Sequence, residues 1–135
     1  MYIIICIDDN KGMMFNHRRQ SQDKELRNHI LSEINNDKLW MNVYTSGQFH
    51  ETRLQNIVVD QDFLKKADQY EYCFVEDENI KPYMERIEKI ILFKWNRKYP
   101  ADFYYNIDMS GWKLVKTEEL KGNSHEKITK EIYIK

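Results

Sequence analysis

The densest polar stretch of the chain is Asn16-His17-Arg18-Arg19-Gln20-Ser21-Gln22-Asp23. Two adjacent guanidinium groups can hold a phosphate or carboxylate through paired N–H donors, and the His17 imidazole can exchange a proton near neutral pH. His17, Arg18, Arg19 and Asp23 are therefore the candidate ligand-binding residues, with an anionic small molecule as the partner they suit. The same residues also suit a solvated loop that runs into a helix cap, because carboxylates favour helix N-termini. A second candidate is Glu76-Asp77-Glu78, whose carboxylates could serve acid–base or magnesium chemistry or could simply cap a strand end in solvent. His29, His50 and His125 have no acidic or cysteine partner at a metal-ligand spacing, and no metal site is expected. Ser46, Ser110 and Ser124 lie outside any GxSxG elbow.

The elements that must position these residues follow from hydrophobic periodicity. Ile3 to Ile7 is a short β-branched run and reads as a buried central strand, followed by a turn from Asp8 to Gly12. After a cap at Ser21 or Asp23, the stripe Leu26, Ile30, Leu31 and Ile34 predicts a helix, ended by Asn35 to Asp37. Leu39 to Tyr44, Asn56 to Val59, Tyr72 to Val75 and Lys89 to Trp95 are further strands. Short helices are expected from Thr45-Ser46-Gly47 through Phe49 and beyond, over Asp60 to Ala67, and at Pro82 to Ile87. Phe103 to Ile107, Trp112 to Glu118 and Ile128 to Ile134 complete the strands. Helical connections early and none late predict an α/β fold: a mixed, mostly parallel sheet flanked by helices, with antiparallel C-terminal strands.

Composition sets outer bounds. The 135 residues are 41% hydrophobic and 32% charged, with 4 Gly and 2 Pro, which suits one domain spanning residues 1–135. A formal charge of −1 gives no long-range attraction to nucleic acid or an anionic membrane. The lysines at 113, 116, 121, 127 and 130 are interrupted by Glu118, Glu119, Glu126 and Glu131, so no phosphate track is expected. Cys6 and Cys73 sit in apolar runs and read as buried thiols. The N-terminal apolar run is too short for a signal or a membrane span, so a cytoplasmic location is the expectation.

In its order of fragments the chain resembles the dihydrofolate reductase family. The fragments are Ile3 to Gly12, Asp23 opening the first helix, Leu39 to Thr45, Asn56 to Val59, FVEDENIKPYMERIEKIIL from Phe74 to Leu92, ADFYYNIDMSGWKLV through Val115, and HEKITKEIYIK. The resemblance implies a fold built to bind NADPH and a pteridine, with Asp23 as the acidic residue that would contact the pteridine through two parallel N–H donors and act in proton positioning. It also implies that Asn42, Val43 and Thr45 fall where the family has Gly, Arg and Thr, that Glu76 and Asp77 fall on its paired glycines, that Phe93 falls on a substrate-ordering Thr, and that Arg53 lies near its substrate-carboxylate Arg. Carboxylates at a phosphate turn repel the cofactor, Val43 cannot pair with phosphate, and Phe93 has no hydroxyl. The expectation is a divergent dihydrofolate reductase-like protein that has lost the NADPH and dihydrofolate chemistry and binds another small molecule, with no cofactor. The alternatives are an NAD(P)H-dependent reductase of a pteridine or related imine, with Asp23 catalytic and NADPH as cofactor, and a protein-interaction domain built on exposed aromatics and arginines.

Overall fold

A computed structural model of the protein describes residues 1–49 and 56–135. The run of Ile3, Ile4 and Ile5 has almost no exposed surface and forms the centre of strand β1 (Tyr2–Ile7). β1 pairs in parallel with β6 (Tyr72–Phe74) on one side and with β7 (Lys89–Lys94) on the other, with Ile3 opposite Cys73 and Ile90. β4 (Leu39–Met41) lies parallel to β6, and β5 (Ile57–Val59) parallel to β4. Beyond β7, β10 (Ile128–Ile134) and β9 (Lys113–Leu120) are added antiparallel, giving a seven-stranded sheet ordered β5-β4-β6-β1-β7-β10-β9. This is the mixed sheet that the spacing of helical and helix-free connections predicts.

Helix α1 (Lys24–Ile34) buries Leu26, Ile30 and Ile34 against one face of the sheet, together with Ile4, Phe74, Ile91, Phe93 and Trp95. The other face is covered by irregular chain. The short helix α3 (Phe63–Lys66), a 3-10 segment over Lys81–Arg86, and the stretch holding Tyr105 and Ile107 pack there on Ile3, Ile5, Ile7, Ile90 and Leu92.

Four local expectations differ from the structure. The strand from Leu39 stops at Met41, because Asn42 takes an extended conformation and its side chain accepts the Thr45 N–H at 2.9 Å, capping helix α2 (Val43–Ser46). The helix expected at Pro82 to Ile87 is a 3-10 segment. Of Phe103 to Ile107 only β8 (Phe103–Tyr104) is strand, and it belongs to a separate three-stranded sheet with β2 (Gly12–Phe15) and β3 (Arg18–Arg19). The polar stretch after Gly12 is therefore partly a hairpin, closed by Asn16 and His17, both at positive φ (51° and 61°), the geometry of a two-residue hairpin turn. Whatever continues α2 beyond Phe49 lies outside the described residues.

Candidate functional site

The hairpin delivers Arg19 to the carboxyl end of the parallel strands. Its guanidinium forms a two-point ion pair with Glu76, Nε to Oε2 at 2.9 Å and Nη2 to Oε1 at 3.1 Å. The same group lies 4.4 Å from the Tyr44 ring centre and donates to the Tyr44 carbonyl at 3.1 Å, while the Arg19 backbone N–H donates to the Tyr44 hydroxyl. Burial works against the Arg19 charge, but the Glu76 hydrogen bond and charge outweigh it and raise its pKa. Beside this pair, Asn42 Nδ2 donates to Asp77 Oδ1 at 2.8 Å. The space left among Cys6, Arg19, Gln20, Glu76 and Trp95 is about 10 Å³, room for about one water and no ligand. Arg18 and His17 are exposed on the hairpin; His17 borders a separate depression of about 310 Å³ with Asp77, Asp102 and Phe103.

Asp23 lies elsewhere in chemical terms. It is the N-cap of α1, accepting the N–H groups of Glu25 and Leu26, and its carboxylate also receives the N–H groups of Asn123, Ser124 and His125, the Ser124 hydroxyl and, at 2.9 Å, His125 Nδ1. The side chain is fully buried. Burial pushes the carboxyl up, yet the His125 bond and the Asn123, Leu26 and Ser124 amides outweigh it and hold the pKa well below the usual carboxylate range. Gly122 makes this approach feasible, since a Cβ there would overlap the His125 carbonyl oxygen and lie 3.0 Å from Asp23 Oδ2. His125 then stacks on Trp95, with ring centres 4.4 Å apart, and meets the Tyr99 hydroxyl at 2.8 Å. Asp23 thus ties the start of α1 to the loop between β9 and β10, and every lone pair that could face a ligand has a protein donor.

The four candidate ligand residues are consequently not brought to one concavity: Arg19 is paired, Asp23 is enclosed, and His17 and Arg18 face solvent. The inward position of the first turn of α1 is the apolar Leu26. Val43 is exposed, Thr45 is fully buried in α2, and Phe93 is buried in the core under α1. His50 and Arg53 lie outside the described residues. Glu78 is partly buried, and burial, then Asp77 and Asp62, raise its pKa. Cys6 and Cys73 are free thiols, each pushed up by burial. Among the described residues no three His, Cys, Asp or Glu side chains gather to hold a metal, and no helix is long and apolar enough to cross a membrane. Tyr44, Tyr99, Asn123 and Ser124 were not among the residues singled out by sequence as ligand contacts; their partners lie tens of residues away, and no local spacing marks them.

Two further openings lie on the face opposite α1. One of about 310 Å³ runs past Ile5, Met13, Ile80 and the Asp102–Ile107 stretch. The other, about 360 Å³, lies between Ile7, Leu92, Met109 and Tyr133. The Tyr105 ring is a wall of both.

No family model matches the chain. No curated protein matches it in sequence. Among solved structures, a dihydrofolate reductase from Enterococcus faecalis, complexed with NADP(H) and RAB-propyl, superposes with a TM-score of 0.71 at 14% identity, covering 98% of this chain and 94% of that one. The chain has the dihydrofolate reductase fold.

Proposed function

We propose that this chain, built on the dihydrofolate reductase fold, is a ligand-binding protein without reductase chemistry, in which the place of cofactor and pteridine is filled by its own side chains. The observation that carries the reading is the Arg19–Glu76 pair, with about 10 Å³ left beside it. NADP(H), bound by the Enterococcus faecalis protein of similar fold, would here have to break a two-point ion pair and face the Glu76 and Asp77 carboxylates, which repel phosphate. A pteridine would find no free carboxylate at the start of α1, since Asp23 is saturated by protein donors and the inward residue is Leu26. Of the basic groups that could compensate, Arg19 is committed to Glu76 and Lys94 is paired with Glu131 at 3.0 Å, while Arg18 is exposed on the hairpin.

Calorimetry with NADPH and a spectrophotometric assay with dihydrofolate test the reading. The expected result is no binding at micromolar cofactor and no protein-dependent oxidation. Micromolar NADPH binding, with turnover lost in a folded Asp23→Asn variant, would overturn it in favour of a diverged NAD(P)H-dependent reductase.

A further inference from the structure

We infer that the cavity of about 360 Å³ behind Tyr105 is a binding site for a small zwitterion with an aromatic side chain, of the aromatic α-amino acid class, its head held by Asp9 and Lys11. This deepens the ligand-binding reading above by naming a place and a chemistry. The floor comes first. Ile7, Leu92, Tyr105, Met109 and Tyr133 present aliphatic, thioether and aromatic surface in a volume at the small end of the range for small-molecule sites, about 300–1,000 Å³. A planar ring suits such walls, since aromatic pairs gain from edge and offset contacts, and sulfur adds to them.

The polar groups divide into committed and free. Lys94 Nζ lies 3.0 Å from Glu131 Oε1, and the Tyr133 hydroxyl donates to the same oxygen at 2.9 Å. That wall is neutral and satisfied; burial and Glu131 hold the Tyr133 hydroxyl at about 12, so it stays protonated. Asp9 and Lys11 also line the cavity, and among the described residues neither side chain has an ion-pair or hydrogen-bond partner. They come from one turn, two positions apart, and both line the same cavity, so it is offered a negative and a positive group. A ligand that carries both charges on one carbon, as an α-amino acid does, matches them, the ammonium toward Asp9 and the carboxylate toward Lys11.

The turn is held in place before any ligand arrives. The Asp8 carboxylate accepts the N–H groups of Asn10 at 2.8 Å, Gly12 at 2.7 Å and Tyr99 at 3.1 Å, and the Asp9 N–H donates to the Arg97 carbonyl at 2.9 Å. Lys11 sits at a φ of 64° and Asn96, another wall residue, at 60°. Lysine has no side-chain bond to offset this conformation, so the surrounding fold holds it there. Such preorganisation lowers the entropy lost on binding.

The test uses the whole chain with L-phenylalanine and L-tryptophan as probes, and phenethylamine and 3-phenylpropionate as analogues that each keep one charge. Chemical-shift mapping gives the place and calorimetry the affinity. The amino acids are expected to bind with Kd values of about 1 mM or tighter, moving the resonances of Ile7, Leu92 and Tyr133. Each analogue should bind about fivefold more weakly, the scale of one exposed ion pair. Asp9→Asn should weaken L-phenylalanine by the same factor and leave 3-phenylpropionate unchanged; Lys11→Gln should likewise weaken L-phenylalanine and leave phenethylamine unchanged. Neither side chain holds the fold, so unchanged melting curves are the control. Three outcomes overturn the inference: no binding of either amino acid up to several times about 1 mM, equal affinities across analogues and variants, or shifts confined to the Arg19–Glu76 region. The NADPH titration reads the other proposal separately, so either can fail alone.

Discussion

Two regions reached from the carboxyl end of β1 use charge in opposite ways. Around Trp95, the Arg19, Glu76 and Asp23 side chains are enclosed and each is answered by a protein group, leaving about 10 Å³. Behind Tyr105, an apolar floor is left open over about 360 Å³, and the Asp9 and Lys11 charges at its edge are unanswered. The difference follows from what covers each face. A regular helix with an apolar stripe fills the layer above β1 and β7, and a capping carboxylate locks its start; an irregular chain with short helical turns cannot fill the opposite layer as evenly. Saturated buried charge has no capacity left for a ligand and is costly to strip of one partner, whereas unpaired charge beside an apolar hollow is available for recognition.

The largest expected effect strikes the closed region. Asp23→Ala would strand the N–H groups of Leu26, Asn123, Ser124 and His125 in a buried site, and loss of about 3–5 kcal/mol in urea unfolding is expected. Asp23→Asn should cost less, since its amide oxygen still caps α1. The pH dependence has a fixed sign. Because the folded carboxyl titrates below its unfolded value, its stabilisation is present above the unfolded pKa, about 3.9, and is lost as pH falls from about 5 toward the depressed folded value. Wild type should therefore lose stability on acidification faster than Asp23→Asn; parallel curves would mean that Asp23 is not the enclosed anion described.

A smaller effect is expected on breaking the ion pair. Arg19→Ala should cost about 1–3 kcal/mol, the range for leaving a buried polar group without its partner, because Glu76 is left largely buried and unpaired. It should also speed labelling of Cys6, which lines the residual space beside Arg19, relative to Cys73, which lies within β6 opposite Ile3. Both thiols should react slowly in the wild type, since burial raises each above its ordinary value, with Glu76 adding to the effect at Cys6. Equal labelling of Cys6 in the two proteins would show that Arg19 does not close the region.

The sheet was legible from sequence because most of its strands are short apolar runs, several of them rich in β-branched residues. Ile3 to Ile7, Tyr72 to Val75, Lys89 to Trp95 and Ile128 to Ile134 each lie within a residue or so of the observed bounds. The site was less so. Asp23 as cap could be read from the helix pattern, but its His125 partner lies on the far side of the sequence, and only the fold brings Gly122 to His125 against it. Arg19 reads from sequence as a ligand contact because nothing local marks Glu76 and Tyr44 as its partners. The hairpin turn Asn16-His17 lacks the glycine that usually signals such a turn, and its strands are too short to show alternation. Asp9 and Lys11 were read only as part of a turn, since the cavity beside them is made by residues from three other segments.

The smallest expected effect belongs to the open region and bears on whether its wall is dry. Tyr105 is buried, and burial raises its hydroxyl above the ordinary phenol value. Its only donor contact among the described residues is to the Met109 sulfur at 3.0 Å, and a thioether is a weak acceptor. Removing the hydroxyl should therefore cost little, while the ring of this residue, which lines both cavities on that face, stays in place. Tyr105→Phe is expected to change unfolding stability by about 0.5 kcal/mol or less, at the bottom of the range for a hydrogen bond. Phenylalanine binding should also persist, because the head group is assigned to Asp9 and Lys11 and the Tyr105 face is unchanged. A loss above about 1.5 kcal/mol would mean that the hydroxyl holds a stronger partner, such as a bridging water within the cavity. In that case the open region, like the closed one, would carry a satisfied polar network, and the contrast between them would rest on volume alone.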